Sequence, residues 1–451
     1  MDRRAPQVSD DRHLDRGLGP WAAASIVVGT IIGTGVFLKA AVMAQLGGSA
    51  AVVLAAWAVA GLLSLAGAMT YAELGGMFPQ AGGEYVYLRK GYGPLMGYLY
   101  AWNRFWIATP GSIAAYAVGS ATFLGPVLPE PLAGHAVPLA LGIILVFTLI
   151  NTLNVRSGGR LQTVLTILKV IMILAIAIGA LTGPGDWSRV TTSGEWPGFG
   201  AFGALVLAAL WAYDGWNNLP MAAGEVRDPE RNLPRAIVGG ALGVLVIYAL
   251  VNIGYFRALP FGDIVTASST AYPDAPSVAQ KAATQFLGGP AQALLAIAIT
   301  ISAISAMNGS MLTGARVPYA AAKDGLAPAR LAHLNAARVP AVAVLVQGAL
   351  ACVFALSARF DQLTDAVVFA SWLFYALNAG SVLLLRKREP DRERPFRVPG
   401  FPVVPVVFVV LATLLLVNTV VTAPGPSALG LGMTALGAIV YLAVYRRRSA
   451  R

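Results

Sequence analysis

The sequence is poor in charge and in the residues that hold metals or disulfides. Only 12% of its 451 residues are charged, against about 25% in a water-soluble domain, whose surface must be hydrated. It has one cysteine and three histidines, which excludes an intramolecular disulfide framework and multi-cysteine zinc or iron–sulfur sites, so no metal or cofactor is expected. Since 57% of the residues are apolar, the composition predicts an integral membrane protein.

Long apolar runs are abundant. A helix needs about 20 apolar residues to cross the hydrocarbon core of a bilayer, and irregular backbone cannot face lipid. The first 16 residues are polar and lack a signal-peptide pattern, so we expect a disordered tail there. Twelve stretches are predicted to be transmembrane helices: 20–44, 49–72, 94–124, 136–153, 161–182, 199–222, 236–256, 290–313, 339–357, 364–385, 402–422 and 427–445.

The basic residues are unevenly distributed over the predicted loops. With the N-terminus placed in the cytoplasm, 25 of the 32 lysines and arginines fall on the cytoplasmic side and two within spans. Five fall on the other side, counting Lys39 near the end of the first span. The positive-inside rule requires such a skew, so both termini are expected to be cytoplasmic. The skew also accounts for the net charge of +11 without nucleic acid as a partner. The basic run 386–397 is either a plain topology signal or a contact with anionic membrane lipid.

Two of the predicted spans contain residues that oppose a continuous helix. The first span has three glycines and two threonines within 29–35. This cluster is either a close-packing face, with Gly29 and Gly33 as a pair of small residues, or an unwound segment. The sixth span places Asp214, Gly215 and two asparagines in an apolar helix. An aspartate at the centre of a span costs about 2.5–3.5 kcal/mol on insertion scales, so it is expected to face a cavity or a partner.

Interrupted helices at the first and sixth positions are typical of a secondary transporter built from two inverted repeats. A helix that ends in mid-membrane exposes free C=O groups, and the half that follows begins with free N–H groups. Together these ends suit the ammonium and the carboxylate of an α-amino acid, which is the predicted substrate. The groups expected to bind it are the N–H groups of Thr34, Gly35 and Val36 and the carbonyls around Ile31, Trp211 and Asp214, with Gly33 and Gly35 permitting close approach.

Several stretches of the chain carry longer motifs. They are GTIIGTGVF at 29–37, TYAELGGMFPQAGGEYVYL at 70–88, LKV around Lys169, LWAYDGWNNLP at 210–220, GEVRDPERNLPRA at 224–236 and MNGSMLTGAR at 307–316. Together they resemble the amino acid-polyamine-organocation (APC) transporters, and among these the prokaryotic members of the L-type amino-acid transporter (LAT) family. The resemblance implies sodium-independent exchange of L-amino acids by alternating access, with proton-coupled uptake as the alternative.

The resemblance also implies an architecture, an all-α membrane protein of the leucine-transporter type with broken helices one and six. Its parts would be a cytoplasmic tail (1–18), two inverted repeats of five spans (19–182 and 199–385), two further spans (402–445) and a second tail (446–451), in the plasma or inner cell membrane. It implies a transporter and not an enzyme. The loop at 125–135 lacks the cysteine by which some relatives join a heavy subunit, so no disulfide-linked partner is expected.

Individual site residues are assigned by the same resemblance. Arg104 departs from the pattern, because relatives commonly carry Glu there. Its partner would be Asp214 or lipid, and if it faces the pathway, this reversal of charge would disfavour cationic substrates. The small residue Gly111 lies near the positions that line the side-chain pocket. The other assignments are Ile31, Thr34 and Gly35 for the substrate-binding backbone, Trp211 for an aromatic gate or a packed core residue, Tyr213 and Asp214 for the loop beside the amine site, and Ser112 and Ser371 for the side-chain pocket.

Lys169 is the second basic residue within a predicted span. An ammonium near mid-membrane is costly unless it is hydrogen-bonded, and the expected acceptors are Ser302, Ser305 or Ser310 together with the carbonyls of residues 29–32. By resemblance, this lysine occupies the place of a sodium ion. Alternatively, it extends along its span to the membrane interface.

Four acidic residues flank the predicted inner loops after the second and sixth spans. They are interpreted either as groups that close the cytoplasmic side of the pathway or cap helices, or as ordinary solvated loop acids. The four are Glu73, Glu84, Glu225 and Asp228.

Overall fold

The computed structural model describes residues 13–129, 134–269, 271–272, 274–357, 360–422 and 424–446, without the side chains of 126, 360–370, 422 and 426. Most of the predicted tails, 1–18 and 446–451, therefore lies outside the described residues, namely 1–12 and 447–451. Within the described ranges the secondary structure is helical and contains no named β-strand.

The first half of the described chain contains eight α-helices. Its α-helices are α1 (Pro20–Ile31), α2 (Gly35–Gly47), α3 (Ala50–Met77), α4 (Glu84–Tyr92), α5 (Pro94–Asn103), α6 (Thr109–Leu124), α7 (Ala136–Leu153) and α8 (Val155–Thr182). A π-helical turn, Arg104–Ala108, joins α5 to α6. Short 3₁₀ turns follow at Gly125–Val127 and Trp187–Arg189.

The second half of the described chain contains eleven α-helices. Its α-helices are α9 (Gly198–Ala212), α10 (Asn218–Met221), α11 (Pro229–Ala258), α12 (Phe261–Val265), α13 (Val278–Leu287), α14 (Ala291–Gly314), α15 (Arg316–Lys323), α16 (Ala341–Ala355), α17 (Phe360–Arg388), α18 (Val403–Thr422) and α19 (Pro424–Val440). Ala223–Glu225 and Ala329–Ala332 are 3₁₀ turns, and Tyr441–Tyr445 is a π turn after α19.

Nine helical stretches of the described chain are long and apolar enough to cross a bilayer. Two shorter apolar helices, Gly198–Ala212 and Ala341–Ala355, lie where the sixth and ninth spans are predicted. The predicted tenth span, 364–385, lies within α17. The chain is thus an all-helical, multi-pass membrane protein, and the total of twelve spans stays a prediction.

Helix starts follow from local sequence. α1 begins at Pro20, whose fixed φ and missing N–H suit the first helical position. The side chain of Ser49 accepts a hydrogen bond from the backbone N–H of Val52 at 3.4 Å, and that of Asn154 accepts one from Ser157 at 2.7 Å. These caps satisfy N–H groups at the starts of α3 and α8 that have no partner within the helix.

The burial of the apolar stretches separates inner helices from outer ones. In Pro20–Gly47, 72% of the most apolar window is buried, and in Ala291–Lys323 the figure is 78%. In Val403–Val421 it is only 17%. Since α1 packs against α8, α11 and α14, it lies at the centre of the bundle, whereas α18 presents most of its apolar surface outward, as a lipid-facing helix does.

Candidate functional site

The first interruption, residues 32–34, separates α1 from α2. At Ile32 the backbone turns to an extended conformation, with ψ at 93°, and helical geometry resumes at Thr34. Gly33 lies between them, in a stretch rich in glycine and threonine, whose helix propensity is poor. The C=O groups at the end of α1 and the N–H groups at the start of α2 therefore lack partners within a helix, although both lie inside the bundle.

The second interruption, residues 213–217, separates α9 from α10 and lies directly against the first. Gly215 has a φ of +124°, which side-chain-bearing residues rarely adopt. A Cβ at this position would lie 2.6 Å from the carbonyl carbon and oxygen of Thr30. In addition, the Thr30 hydroxyl donates to the Gly215 carbonyl at 2.9 Å. Glycine is thus required for the close approach of the two backbones.

One tyrosine joins the free carbonyls of the two helix ends. The hydroxyl of Tyr248, on α11, lies 3.2 Å from the carbonyl oxygen of Ile31 and 3.1 Å from that of Ala212. These carbonyls belong to the last residues of α1 and α9. Tyr248 is fully buried, and its hydroxyl supplies a donor to carbonyls at helix ends, which have no partner within their own helix.

Lys169 donates to further carbonyls around the first interruption. Its ammonium donates to the carbonyl oxygens of Gly29 at 2.8 Å, Ile32 at 2.5 Å and Ser302 at 2.8 Å. All three of its donors are thereby used, and the side chain is only 2% exposed. The alternative in which Lys169 extends to the membrane interface is therefore wrong.

The predicted serine partners of Lys169 need correction. Ser302 contributes its main-chain carbonyl, while its hydroxyl donates toward the carbonyls of Ile32 at 3.1 Å and Gly33 at 2.9 Å. Ser305 lies 3.3 Å from the amide nitrogen of Gln162, from which it accepts. Ser310 is buried two turns further along α14 and makes no hydrogen bond to the ammonium in the described chain.

The start of α2 has unused donors. In the described residues the backbone N–H groups of Thr34, Gly35 and Val36 have no hydrogen-bond acceptor. They point away from their own helix at its positively polarised end, which is the arrangement that binds carboxylates. A Cβ on Gly35 would lie 2.6 Å from that of Ala212 and 3.2 Å from the Trp211 ring, so α2 reaches α9 only because this residue is glycine.

A cavity of about 90 Å³, partly open to solvent, lies where the two interruptions meet. Arg104 and Asp214 are the two charged residues in its described wall. The Asp214 carboxylate accepts a hydrogen bond from the Tyr375 hydroxyl at 2.8 Å. The wall is formed by Ile31, Gly33, Thr34, Gly35, Arg104, Gly111, Ser112, Ala115, Tyr116, Trp211, Ala212, Asp214, Ser371, Trp372 and Tyr375.

Most of the residues predicted to bind substrate lie in this wall. Two do not: Val36 is buried in the core, and Tyr213 turns away to pack against Trp57 and Tyr248, with ring centroids 5.7 and 4.9 Å apart. Neither residue forms part of the cavity wall. The predicted residues in the wall are Ile31, Gly33, Thr34, Gly35, Ser112, Trp211, Asp214 and Ser371.

Sequence reasoning missed two tyrosines that the helical period makes available. Tyr116 follows Ser112 by four residues, and Tyr375 follows Ser371 by four, so each shares a helix face with a predicted residue. Both tyrosines line the cavity. The four-residue spacing was the signal that would have found them. Tyr248, in contrast, stands in an apolar run with no local signal.

Arg104 also contributes to the wall, from the π-helical turn. The sequence alone leaves Asp214 and lipid as its possible partners, but the guanidinium donates to the side-chain oxygen of Asn218. It is 8% exposed, which excludes lipid. Short π-helical turns are frequent at functional sites because they redirect side chains within an otherwise regular helix.

Three of the four acids predicted at the inner loops are buried and hydrogen-bonded. Glu225 forms two hydrogen bonds with Arg316, at 2.6 and 2.8 Å, and both residues are almost fully buried. Glu73 likewise accepts two from Arg386, at 2.8 and 2.6 Å. Glu84 accepts hydrogen bonds from three buried side chains, including Asn217.

These contacts distinguish three of the four predicted acids from the fourth. Glu73, Glu84 and Glu225 have no exposed surface, so the interpretation as solvated loop acids is wrong for them. Asp228 is exposed, and its side chain makes no cap hydrogen bond although it stands at the N-cap of α11. In the described chain, no three histidine, cysteine, aspartate or glutamate side chains are placed to hold a metal ion.

Comparison with known proteins identifies relatives over nearly the whole chain. The sequence profile of the amino acid permease family matches residues 18–444. The serine/threonine exchanger SteT of Bacillus subtilis (strain 168) is 33% identical over 447 residues, which cover 98% of this chain and 99% of that protein. The b(0,+)-type amino acid transporter 1 of Mus musculus is 31% identical over 419 residues, covering 91% and 84%. The cystine/glutamate transporter of Homo sapiens is 29% identical over 454 residues, covering 98% and 87%.

Proposed function

The chain belongs to the amino acid permease family, and from this premise we propose that it exchanges L-amino acids by alternating access without sodium. That it is a membrane transporter of amino acids, and not an enzyme, follows from the family and from its relatives. The proposal rests on one observation above all: the free N–H groups of α2 and the carbonyl ends of α1 and α9 meet at one cavity.

Such a site recognises the part that all α-amino acids share. The N–H groups of Thr34, Gly35 and Val36 bind the α-carboxylate, because the start of α2 carries a partial positive charge. The α-ammonium lies near the carbonyl ends and near Asp214, whose carboxylate Tyr375 holds in place. The substrate side chain then extends toward the remaining wall, which sets specificity.

Lys169 supports the sodium-independent form of the proposal. Its ammonium is held by three carbonyl oxygens from α1, α14 and the first interruption. Carbonyl oxygens at helix ends are the groups that coordinate sodium in transporters with interrupted helices. A tethered cation in that place holds the same elements together without a bound ion. Proton-coupled uptake is the second candidate.

The proposed architecture is a pair of inverted repeats, 19–182 and 199–385, followed by two spans within 402–445. It is supported by the positions of the interruptions, since each lies in the first apolar helix of its half. The skew of basic residues supports cytoplasmic termini, with the tails at 1–18 and 446–451, in the cell membrane. Transport without a disulfide-linked heavy subunit is supported by the single cysteine, Cys352, within α16.

The test is counterflow in proteoliposomes that contain the purified full-length chain. Labelled amino acid outside should accumulate only when the vesicles contain unlabelled amino acid, and replacing sodium by choline should not change the rate. Gly35→Val should abolish accumulation, because its side chain would overlap Ala212. Gly119→Val on α6 is the control, since no atom lies within 4 Å of its added Cβ. No accumulation of any amino acid under any gradient would overturn the proposal.

Exchange and proton coupling are separated in the same vesicles. Empty vesicles with an imposed pH gradient should show no net accumulation if the chain is an exchanger. Accumulation that follows the pH gradient and needs no internal amino acid would replace exchange by proton-coupled uptake.

A further inference from the structure

Arg104 is placed in the cavity in a way that backbone recognition of an amino acid does not explain. It stands at the start of the π-helical turn Arg104–Ala108, between α5 and α6, and its side chain forms part of the cavity wall. In the described wall it is the one basic residue. A fixed cation costs free energy in a bundle interior, so its presence in a cavity is a functional signal.

The hydrogen-bonding capacity of Arg104 is largely unused. A guanidinium carries five N–H donors in a planar fork. In the described structure one of its nitrogens, Nη2, donates to the side-chain oxygen of Asn218, and the buried Nε has no partner. No carboxylate of the described chain lies within 4 Å of it to form an ion pair. The fork is therefore available to a planar acceptor group from outside the protein.

The charges around the cavity leave Arg104 without a committed counter-ion. Behind the wall, Lys169 and Glu84 carry opposite formal charges and are held by their own hydrogen bonds. In the wall, Asp214 lies within the second interruption, where the proposed function places the substrate ammonium. The α-carboxylate of the substrate goes to the start of α2. A second carboxylate, on the substrate side chain, would be the natural partner of Arg104.

Resting on the proposed function, we propose that Arg104 selects amino acids whose side chain ends in a carboxylate. The acidic amino acids, aspartate and glutamate, offer two coplanar oxygens that match the guanidinium fork. Amides offer one oxygen and no charge, and cationic side chains are repelled. The other wall residues leave room for such a side chain, because Gly111 and Ser112 follow on the same helix and are small. Arg104 is thus the specificity-determining residue of the site.

The experiment compares labelled L-glutamate with L-glutamine, which has nearly the same shape, in counterflow by the full-length chain. The wild-type protein should have a half-saturation concentration at least about tenfold lower for glutamate, the ratio that about 1.4 kcal/mol produces. Arg104→Gln, which keeps a donor for Asn218, should reverse or abolish this preference. Arg160→Gln is the matched control: it also removes one positive charge, from an exposed arginine remote from the cavity, and should keep the preference.

A measurement on the wild-type protein tests the inference even if Arg104→Gln does not fold. Binding raises the melting temperature of a protein by mass action, so glutamate should raise that of the purified chain at lower concentrations than glutamine does. Equal potency of the two ligands, in the melting or the counterflow assay, would overturn the inference and leave Arg104 as a structural counter-charge to Glu84 and Asp214. If neutral amino acids are exchanged and acidic ones are not, this inference fails while the proposed function stands. If no amino acid is exchanged, the proposed function fails.

Discussion

Tyr248 permits a sharp test of how the two interruptions are held together. Its hydroxyl lies 3.2 Å from the Ile31 carbonyl oxygen and 3.1 Å from that of Ala212. Its ring packs edge-on against Trp57, with centroids 5.6 Å apart. Tyr248→Phe therefore removes one oxygen atom and leaves the packing of the ring in place.

The expected loss of stability follows from the number of hydrogen bonds that the Tyr248 hydroxyl can donate. A hydroxyl donates one proton, so the two carbonyls share a single hydrogen bond. Such a bond contributes a net of about 0.5–1.5 kcal/mol, and a buried acceptor left unpaired costs about 1–3 kcal/mol. We expect the free energy of unfolding to fall by about 1–3 kcal/mol. Reversible unfolding of the purified protein in mixed detergent micelles, followed by tryptophan fluorescence, measures this quantity.

The same helix offers a matched control. Tyr255, two turns further along α11, is also fully buried, but its hydroxyl has no hydrogen-bond partner in the described chain. Tyr255→Phe removes an unpaired polar group, so stability should stay constant or rise slightly. Equal losses in the two variants, or unchanged stability in Tyr248→Phe, would refute the role assigned to this hydroxyl.

Three further substitutions test other contacts. Gly215→Ala places a Cβ 2.6 Å from the α1 backbone and should lower the uptake rate by about tenfold or more, equivalent to about 1.4 kcal/mol. Gly239→Ala is the control, because its Cβ meets open space and the uptake rate should not change. Similar rates in the two variants would contradict the contact. Lys169→Met keeps most of the length of the side chain but removes the donors to three carbonyl oxygens, so the melting temperature and uptake should both fall. An unchanged melting curve would speak against a structural role. Arg316→Met leaves Glu225 buried without its partner and should cost about 3–5 kcal/mol in detergent unfolding. Replacing Glu225 by Leu as well should recover most of that loss, and a double variant as unstable as the single one would contradict this explanation.

The helices and their interruptions were largely accessible from the sequence because their causes are local. Apolar runs locate the helices, although several helices continue past the apolar core. One example is α8, which begins at Val155 and not at 161, since an asparagine cap precedes it. The glycine cluster at 29–35 and the polar cluster around Asp214 oppose helical geometry through their own conformational preferences, and both stretches leave the α-helix in the structure.

The partners of the free helix ends were not accessible in the same way. Ser302 contributes a main-chain carbonyl to Lys169, and residue type carries no information about which carbonyl will be reached. Tyr248 and Ile31 are separated by 217 positions, as are other pairs that only the tertiary packing brings together. Tyr213 has the polarity of a site residue, yet its ring finds a better place among aromatic neighbours.

The two ends of α1 are held by different sets of hydrogen bonds, which affects how this helix can move. Its C-terminal end is fastened to three other helices, through Lys169, Tyr248 and Ser302. At the opposite end, the backbone of Leu18 makes only two hydrogen bonds, to Glu225 and Arg227. A swing of α1 about its glycine-rich end would have to break the hydrogen bonds of Leu18 and those that the Ser25 carbonyl accepts from Gln162 and Thr166. Such a swing would move the residues near Pro20 further than those at the site.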